Sequence, residues 1–176
     1  MTIALISIGV IIALLLTIAA MQSNAYVIAR DITINRSREE VFEYIRHIRN
    51  MEHYNKWVMT DPNQKTSFKG TDGHVGFVYA WHSANKQAGK GEQEIKQLIA
   101  NEKMVLEIRF EKPFKGVSEA IMTTEPVGNA QTKVTYLFKG AKNFGMKIAH
   151  LLFNLEKVLG KDLDITMKNL KAQLEK

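Results

Sequence analysis

The sequence predicts an α+β protein: a curved antiparallel sheet wrapped around a long C-terminal helix, preceded by one transmembrane helix. Three observations carry this. Thr2 to Met21 contains no charged side chain. The middle of the chain is a succession of short period-two segments punctuated by turn residues. In the last third, apolar residues recur at three- and four-residue intervals.

The uncharged run is rich in Ile, Leu, Val and Ala, and twenty helical residues at about 1.5 Å each span about 30 Å, the thickness of a bilayer core. Residues 1–24 therefore read as an anchor and short linker, and residues 25–176 as one domain. A cleaved signal peptide is the competing reading, because Ser23-Asn24-Ala25 resembles a small-x-small cleavage site. Against it, the run is long and no Lys or Arg precedes it. Arg30, Arg36 and Arg38 follow the run, so the positive-inside rule places the folded part in the cytoplasm, with a bacterial inner membrane expected.

Tyr26 to Asn35 reads as a first strand, alternating around Val27, Ala29, Ile32 and Ile34 with a break near Arg30. Ser37 and Glu40 form a capping box that starts a short helix, with Val41, Phe42, Ile45 and Ile48 as its apolar stripe. A second helical stretch is expected around Met51 to Trp57. Strands follow at Lys65–Lys69, Phe77–His82, Gly91–Ile99, Met104–Phe110, Gly116–Glu125 and Thr132–Lys139. Their tight turns argue for a meander rather than a βαβ fold. From Phe144 onward, Ile148, Leu152, Leu155, Leu159, Leu163, Met167, Leu170 and Leu174 mark one long amphipathic helix. Gly160 inside it costs roughly 1 kcal/mol relative to Ala, and a bend there would explain it.

This order of elements is that of a helix-grip fold, and the chain resembles the SRPBCC superfamily. That superfamily joins START-related lipid carriers, pollen-allergen-like binders and polyketide cyclases or dehydrases. The resemblance rests on Ile32-Thr33-Ile34-Asn35, Ser37 to Ile45, Asn50 through Trp57, Tyr79-Ala80-Trp81, Gly89-Lys90-Gly91, Pro113-Phe114, and Gly160 through Leu170-Lys171. It is closest to the bacterial branch with an N-terminal membrane helix. Relatives usually carry Ser-Pro-Trp or Trp-x-x-Trp after the first helices; here the segment is Tyr54-Asn55-Lys56-Trp57. The scaffold hosts carriers, enzymes and regulatory modules, so function has to come from the site.

The chain of 176 residues is 45% apolar and 24% charged, proportions of a folded domain. Having no cysteine, it has no disulfide, thiolate metal site or cysteine nucleophile. Its net charge of +6 comes from scattered basic residues, densest at Lys139, Lys142 and Lys147, with Lys157 and Lys161 beyond. These read as solvated surface, with attraction to anionic lipid headgroups as the alternative. No basic motif interleaved with aromatics points to nucleic acid.

None of His47, His53, His74, His82 and His150 forms an HxxxH or HExxH pair, and His74 and His82 lie about 26 Å apart along extended chain, so no metal is expected. Ala84 and Gly91 break the phosphate-loop pattern around Gly89-Lys90-Gly91. No cofactor is expected. For acid–base work, His82, Glu107, Arg109, Tyr136 and His150 are available, yet Glu107, Arg109 and His82 alternate away from the apolar faces, and no catalytic residue is assigned. Apolar area remains. Phe77, Tyr79, Trp81, Leu106, Ile108, Phe110, Tyr136 and Phe138 on the sheet, Ile148, Leu152, Leu155 and Leu159 on the helix, and Trp57 between them are candidates to line a cavity. In this fold, sheet and helix do not close fully. The expected function is membrane-anchored binding of a hydrophobic small molecule or lipid, and the alternative is a polyketide cyclase/dehydrase-like enzyme. A regulatory module recognising a protein partner is a third possibility and would show an exposed apolar patch.

Overall fold

A computed structural model describes residues 2–113, 115–128, 130–142, 144–152 and 155–176, with side chains outside residues 1–5 and 149–155. The elements run α1 (Thr2–Met21), β1 (Ala25–Ile34), α2 (Arg38–Arg46), two 3₁₀ helices (Ile48–His53 and Val58–Thr60), β2 (Lys65–Lys69), β3 (Val78–His82), β4 (Lys90–Ile99), β5 (Lys103–Lys112), β6 (Gly116–Pro126), β7 (Thr132–Ala141), α3 (Phe144–Leu152) and α4 (Leu155–Leu174). The two 3₁₀ helices replace the single stretch expected around Met51–Trp57.

One antiparallel sheet holds all seven strands in the order β1-β7-β6-β5-β4-β3-β2. β2 to β7 form a meander, as the tight turns require, and β1 closes against β7 with Ile28 opposite Phe138. The capping box starts α2 as read: the Ser37 hydroxyl accepts from the Glu40 amide, and the Glu40 carboxylate accepts from the Ser37 amide.

β1 corrects the sequence reading. Its inner face carries Tyr26, Ile28, Arg30, Ile32 and Ile34, while Val27 and Ala29 are exposed. The period is unbroken. A charge is tolerated on that face because Arg30 meets Asp164 of α4, Nε to Oδ1, at 2.7 Å. In the C-terminal helical region, described as α3 and α4, Gly160 lies inside α4. A β-carbon on Gly160 would stand 2.2 Å from Arg30 Nη2. The glycine leaves room for the arginine from the sheet.

The C-terminal part of α4 is tied to the sheet and to the 3₁₀ segment by polar contacts. Lys171 Nζ donates to the Thr33 carbonyl at 2.6 Å, the Asn35 amide donates to Glu175 Oε1 at 2.6 Å, and the Lys56 amide donates to Thr166 Oγ1 at 3.0 Å. Leu163, Met167 and Leu170 are buried beneath these contacts. The opposite end of the molecule carries α1, which packs against α3. There Lys147 Nζ reaches the Ala20 carbonyl near the C-terminus of α1 at 3.5 Å, and the Lys142 amide donates to the Asn24 carbonyl at 2.6 Å.

α1 is apolar on every face, and most of its side chains from Ile6 to Met21 are exposed. Among the described residues no helix is long and apolar enough to cross a membrane.

Candidate functional site

The concave face of the sheet divides into a filled end and a hollow end. At the filled end α2 and the first 3₁₀ helix cover Phe77, Tyr79, Ile95, Met104, Leu106, Met122 and Val134, which are buried with Val41, Ile45, Ile48 and Met51. Dispersion contacts there are saturated, as in an ordinary core. Toward the other end the first 3₁₀ helix reaches the sheet through Met51, whose sulfur meets Gln93. A cavity of about 310 Å³ remains between the sheet, the segment after the first 3₁₀ helix, and the helices α3 and α4.

The hollow follows from a cross-strand row in which small residues oppose large ones. Tyr26 pairs with Gly140, Gly140 with Ser118, Phe110 with both Gly116 and Gly91, and Gly91 with Trp81. A β-carbon on Gly91 would lie 2.8 Å from the Trp81 ring, so the glycine is what lets the indole lie across the sheet. The rings then brace one another: Trp81 meets Phe110 edge-on at 6.0 Å, and Phe138 has Trp57 at 5.9 Å and Tyr26 at 6.1 Å. Trp81 Nε1 is satisfied by the Ala88 carbonyl at 2.9 Å.

Of the sequence candidates, Trp57, Trp81, Ile108, Phe110, Tyr136 and Phe138 line this cavity, with Leu159 from α4. Phe77, Tyr79 and Leu106 do not; they belong to the filled end, where Tyr79 packs on Phe68 and its hydroxyl donates to Glu52 Oε1 at 3.3 Å. Ile148 is half-buried on α3 and off the cavity wall. The side chains of Leu152, Leu155 and His150 lie outside the described residues, as does Phe114.

Sequence reasoning missed the polar part of the lining, Asn55, Gln64, Gln87 and Gln93, together with Tyr26 and Met146. Asn55 is buried, and its Oδ1 accepts from the Trp57 amide at 3.0 Å, which fixes the turn that brings Trp57 over the hollow. Asn55 also hydrogen-bonds the Tyr136 hydroxyl. Gln93 Nε2 has only the Met51 sulfur at 3.4 Å among the described contacts, a weak partner for a buried amide. Among the described residues no carboxylate, lysine, arginine or histidine lines the cavity. Tyr26 and Tyr136 are its titratable groups, and burial pushes both phenols above their ordinary value, keeping them protonated as hydrogen-bond donors.

Glu107 and Arg109 lie on the outer face, as alternation requires. Arg109 bonds Glu92 at 2.7 Å, Glu94 at 2.9 Å and also Glu107. Among the described residues no cluster of His, Asp and Glu could hold a metal ion.

The family model for polyketide cyclase / dehydrase and lipid transport matches residues 26–175. The chain belongs to this polyketide cyclase / dehydrase and lipid transport family. Solved structures share the family's helix-grip fold. The Aha1 dimer from Colwellia psychrerythraea superposes with a TM-score of 0.59 at 18% identity, covering 85% of this chain and 96% of that one. A protein from Thermobifida fusca gives 0.64 at 10% identity, covering 84% and 92%. Norcoclaurine synthase from Thalictrum flavum, solved with dopamine and hydroxybenzaldehyde, gives 0.58 at 12% identity, covering 82% and 85%. At such identities the likeness is one of fold. A search of curated proteins finds none that matches.

Proposed function

We propose that this protein holds a hydrophobic small molecule in the hollow end of its sheet, and that α1 anchors it in a membrane with the folded domain on the cytoplasmic side. The observation that carries the reading is the cavity itself, apolar over most of its wall, uncharged among the described residues, and carrying a few inward amides and phenols. Such walls bind by desolvation, and the polar tips orient the guest. At about 30 Å³ per water-sized group, 310 Å³ admits about ten such groups. That suits one medium-length chain or a fused ring pair, not both tails of a phospholipid.

Placement supports the anchor. The hollow end is the end where β1 begins and β7 ends, beside Asn24 and the last turn of α1. Only Gln22 to Asn24 separate α1 from β1, and a few residues span at most about 10–14 Å. α1 carries no charge and exposes most of its side chains from Ile6 to Met21, which supports a bilayer as its surroundings. The cavity would then open within reach of molecules dissolved in that bilayer. A cyclase or dehydrase needs a base that takes a proton at neutral pH, and phenols held protonated by burial serve poorly for that.

Both tryptophans of the chain line the cavity, which gives a direct test. Full-length protein in phosphatidylcholine nanodiscs is titrated with decanol while tryptophan emission is followed, with empty nanodiscs as control. Saturable change is expected, together with retention of the protein in the membrane fraction after alkaline carbonate washing. An unchanged emission would overturn the binding role; release by carbonate would overturn the anchor.

A further inference from the structure

A second chamber of about 370 Å³ adjoins the apolar one, and the two share Tyr26, Phe110 and Met146 in their walls. Its character differs. Lys115 and Lys142 line it, and no carboxylate does so among the described residues. We propose that the ligand is an anionic amphiphile, its apolar chain in the first chamber and its charged head in the second, against Lys115 and Lys142. This rests on the binding role proposed above and names the class of ligand.

Lys142 reads in the sequence as a solvated surface lysine, and the structure places it otherwise. Its side chain is only 8% exposed, and the carboxylate facing it, Glu156, stands at 3.6 Å and is itself half in solvent. A cation withdrawn from water needs compensation, and the half-exposed Glu156 supplies part of it, leaving room for a second anion on the chamber side. Across the chamber, Lys115 is exposed at the entrance. Glu111, whose carboxyl feels the charge of Lys115, is bonded to Lys90 at 2.5 Å. The chamber therefore presents two cations: Lys142, whose ion pair with Glu156 is half in solvent, and Lys115, whose neighbour Glu111 is engaged by Lys90.

The wall between the chambers suits a threaded chain. Tyr26 stands there with its hydroxyl bonded to Ser118. Met146 of α3, unbranched and with three rotatable bonds, can follow the shape of whatever passes. Together the two chambers hold about twice the contents of the apolar one. The head would come to rest beside the start of α3, at the end of the domain that carries α1.

The test compares decyl phosphate with decanol on full-length protein in phosphatidylcholine nanodiscs, read by tryptophan emission. Decyl phosphate is expected to bind at least tenfold tighter, with the preference falling as salt rises. K142Q and K115Q should each reduce that preference by about tenfold, the size of one lost charge-assisted contact. Equal affinity of the two probes, or a preference that survives both substitutions, overturns the proposal while leaving the apolar cavity a binding site. If neither probe moves the emission, the binding role itself has failed. Phosphatidylglycerol in the nanodisc separates the sources of the anion. Competition with decyl phosphate and a matching emission change mark a bilayer lipid as occupant. Loss of the preference with unmoved tryptophans assigns the lysines to the membrane surface and also overturns the proposal.

Discussion

Tyr26 rests against Gly140 so closely that a β-carbon at position 140 would stand 2.4 Å from the phenolic oxygen and 2.5 Å from the ring carbon that bears it. The two residues are cross-strand partners between β1 and β7. Gly140 adopts no unusual backbone angle, so the requirement for glycine is purely one of space. That space fixes the ring at the boundary of the two chambers.

Gly140→Ala is therefore expected to push the ring out of place and to cost about 1–3 kcal/mol, the usual scale of overpacking. Urea unfolding measures the cost, and decanol titration measures the change in the cavity. In a Tyr26→Leu background the added methyl has no ring to displace, so its cost should fall below about 1 kcal/mol. Equal costs in both backgrounds would separate Gly140 from Tyr26.

The outer face predicts a particular acid response. Glu94 is held below its ordinary value of 4.5, first by the hydrogen bond from Arg109 and then by Lys96. Glu40, Glu43, Glu111 and Glu175 are shifted the same way. For each, the unfolded chain takes up its proton at a higher pH than the fold does. Stability is thus fully present above about pH 4.5 and is lost as pH falls through the lower folded value. Urea midpoints should decline on that acid limb, and Glu94→Gln should flatten it in part. Arg109→Met removes the hydrogen bond that chiefly holds Glu94 low, so it too should flatten the limb in part. An acid limb identical in all three proteins would remove the cluster as its source.

Period-two alternation made the concave face of β5 legible, since Met104, Leu106, Ile108 and Phe110 all point inward. Alternation says nothing about position along the strand. Leu106 and Ile108 look alike in sequence, yet one is packed beneath α2 and the 3₁₀ helix and the other borders a hollow. That difference is made by where the covering elements stop, which is a tertiary matter. Arg30 misled for a related reason, because its partner Asp164 is far along the chain. The polar lining was illegible to a search for apolar residues, although Gly91, Ser118 and Gly140 left a signal: small residues on inward positions of strands, where a packed core would carry branched ones.

The division of the sheet can be tested within one strand. Leu106 is surrounded on all sides, so Leu106→Ala removes its contacts and leaves a new void, at about 2–5 kcal/mol. Ile108 already has unfilled space on one side, where its atoms have no partners to lose. Ile108→Ala is accordingly expected to cost at least about 1 kcal/mol less than Leu106→Ala in urea unfolding, despite equal numbers of carbons removed. Binding should reverse the order. Ile108→Ala alters decanol affinity because it reshapes the wall the guest touches, whereas Leu106→Ala, one pleat further from the hollow, leaves affinity within about twofold once the folded fraction is accounted for. Equal destabilisation with equal binding would mean that the interior is uniformly packed, and the hollow would lose its claim to be a site.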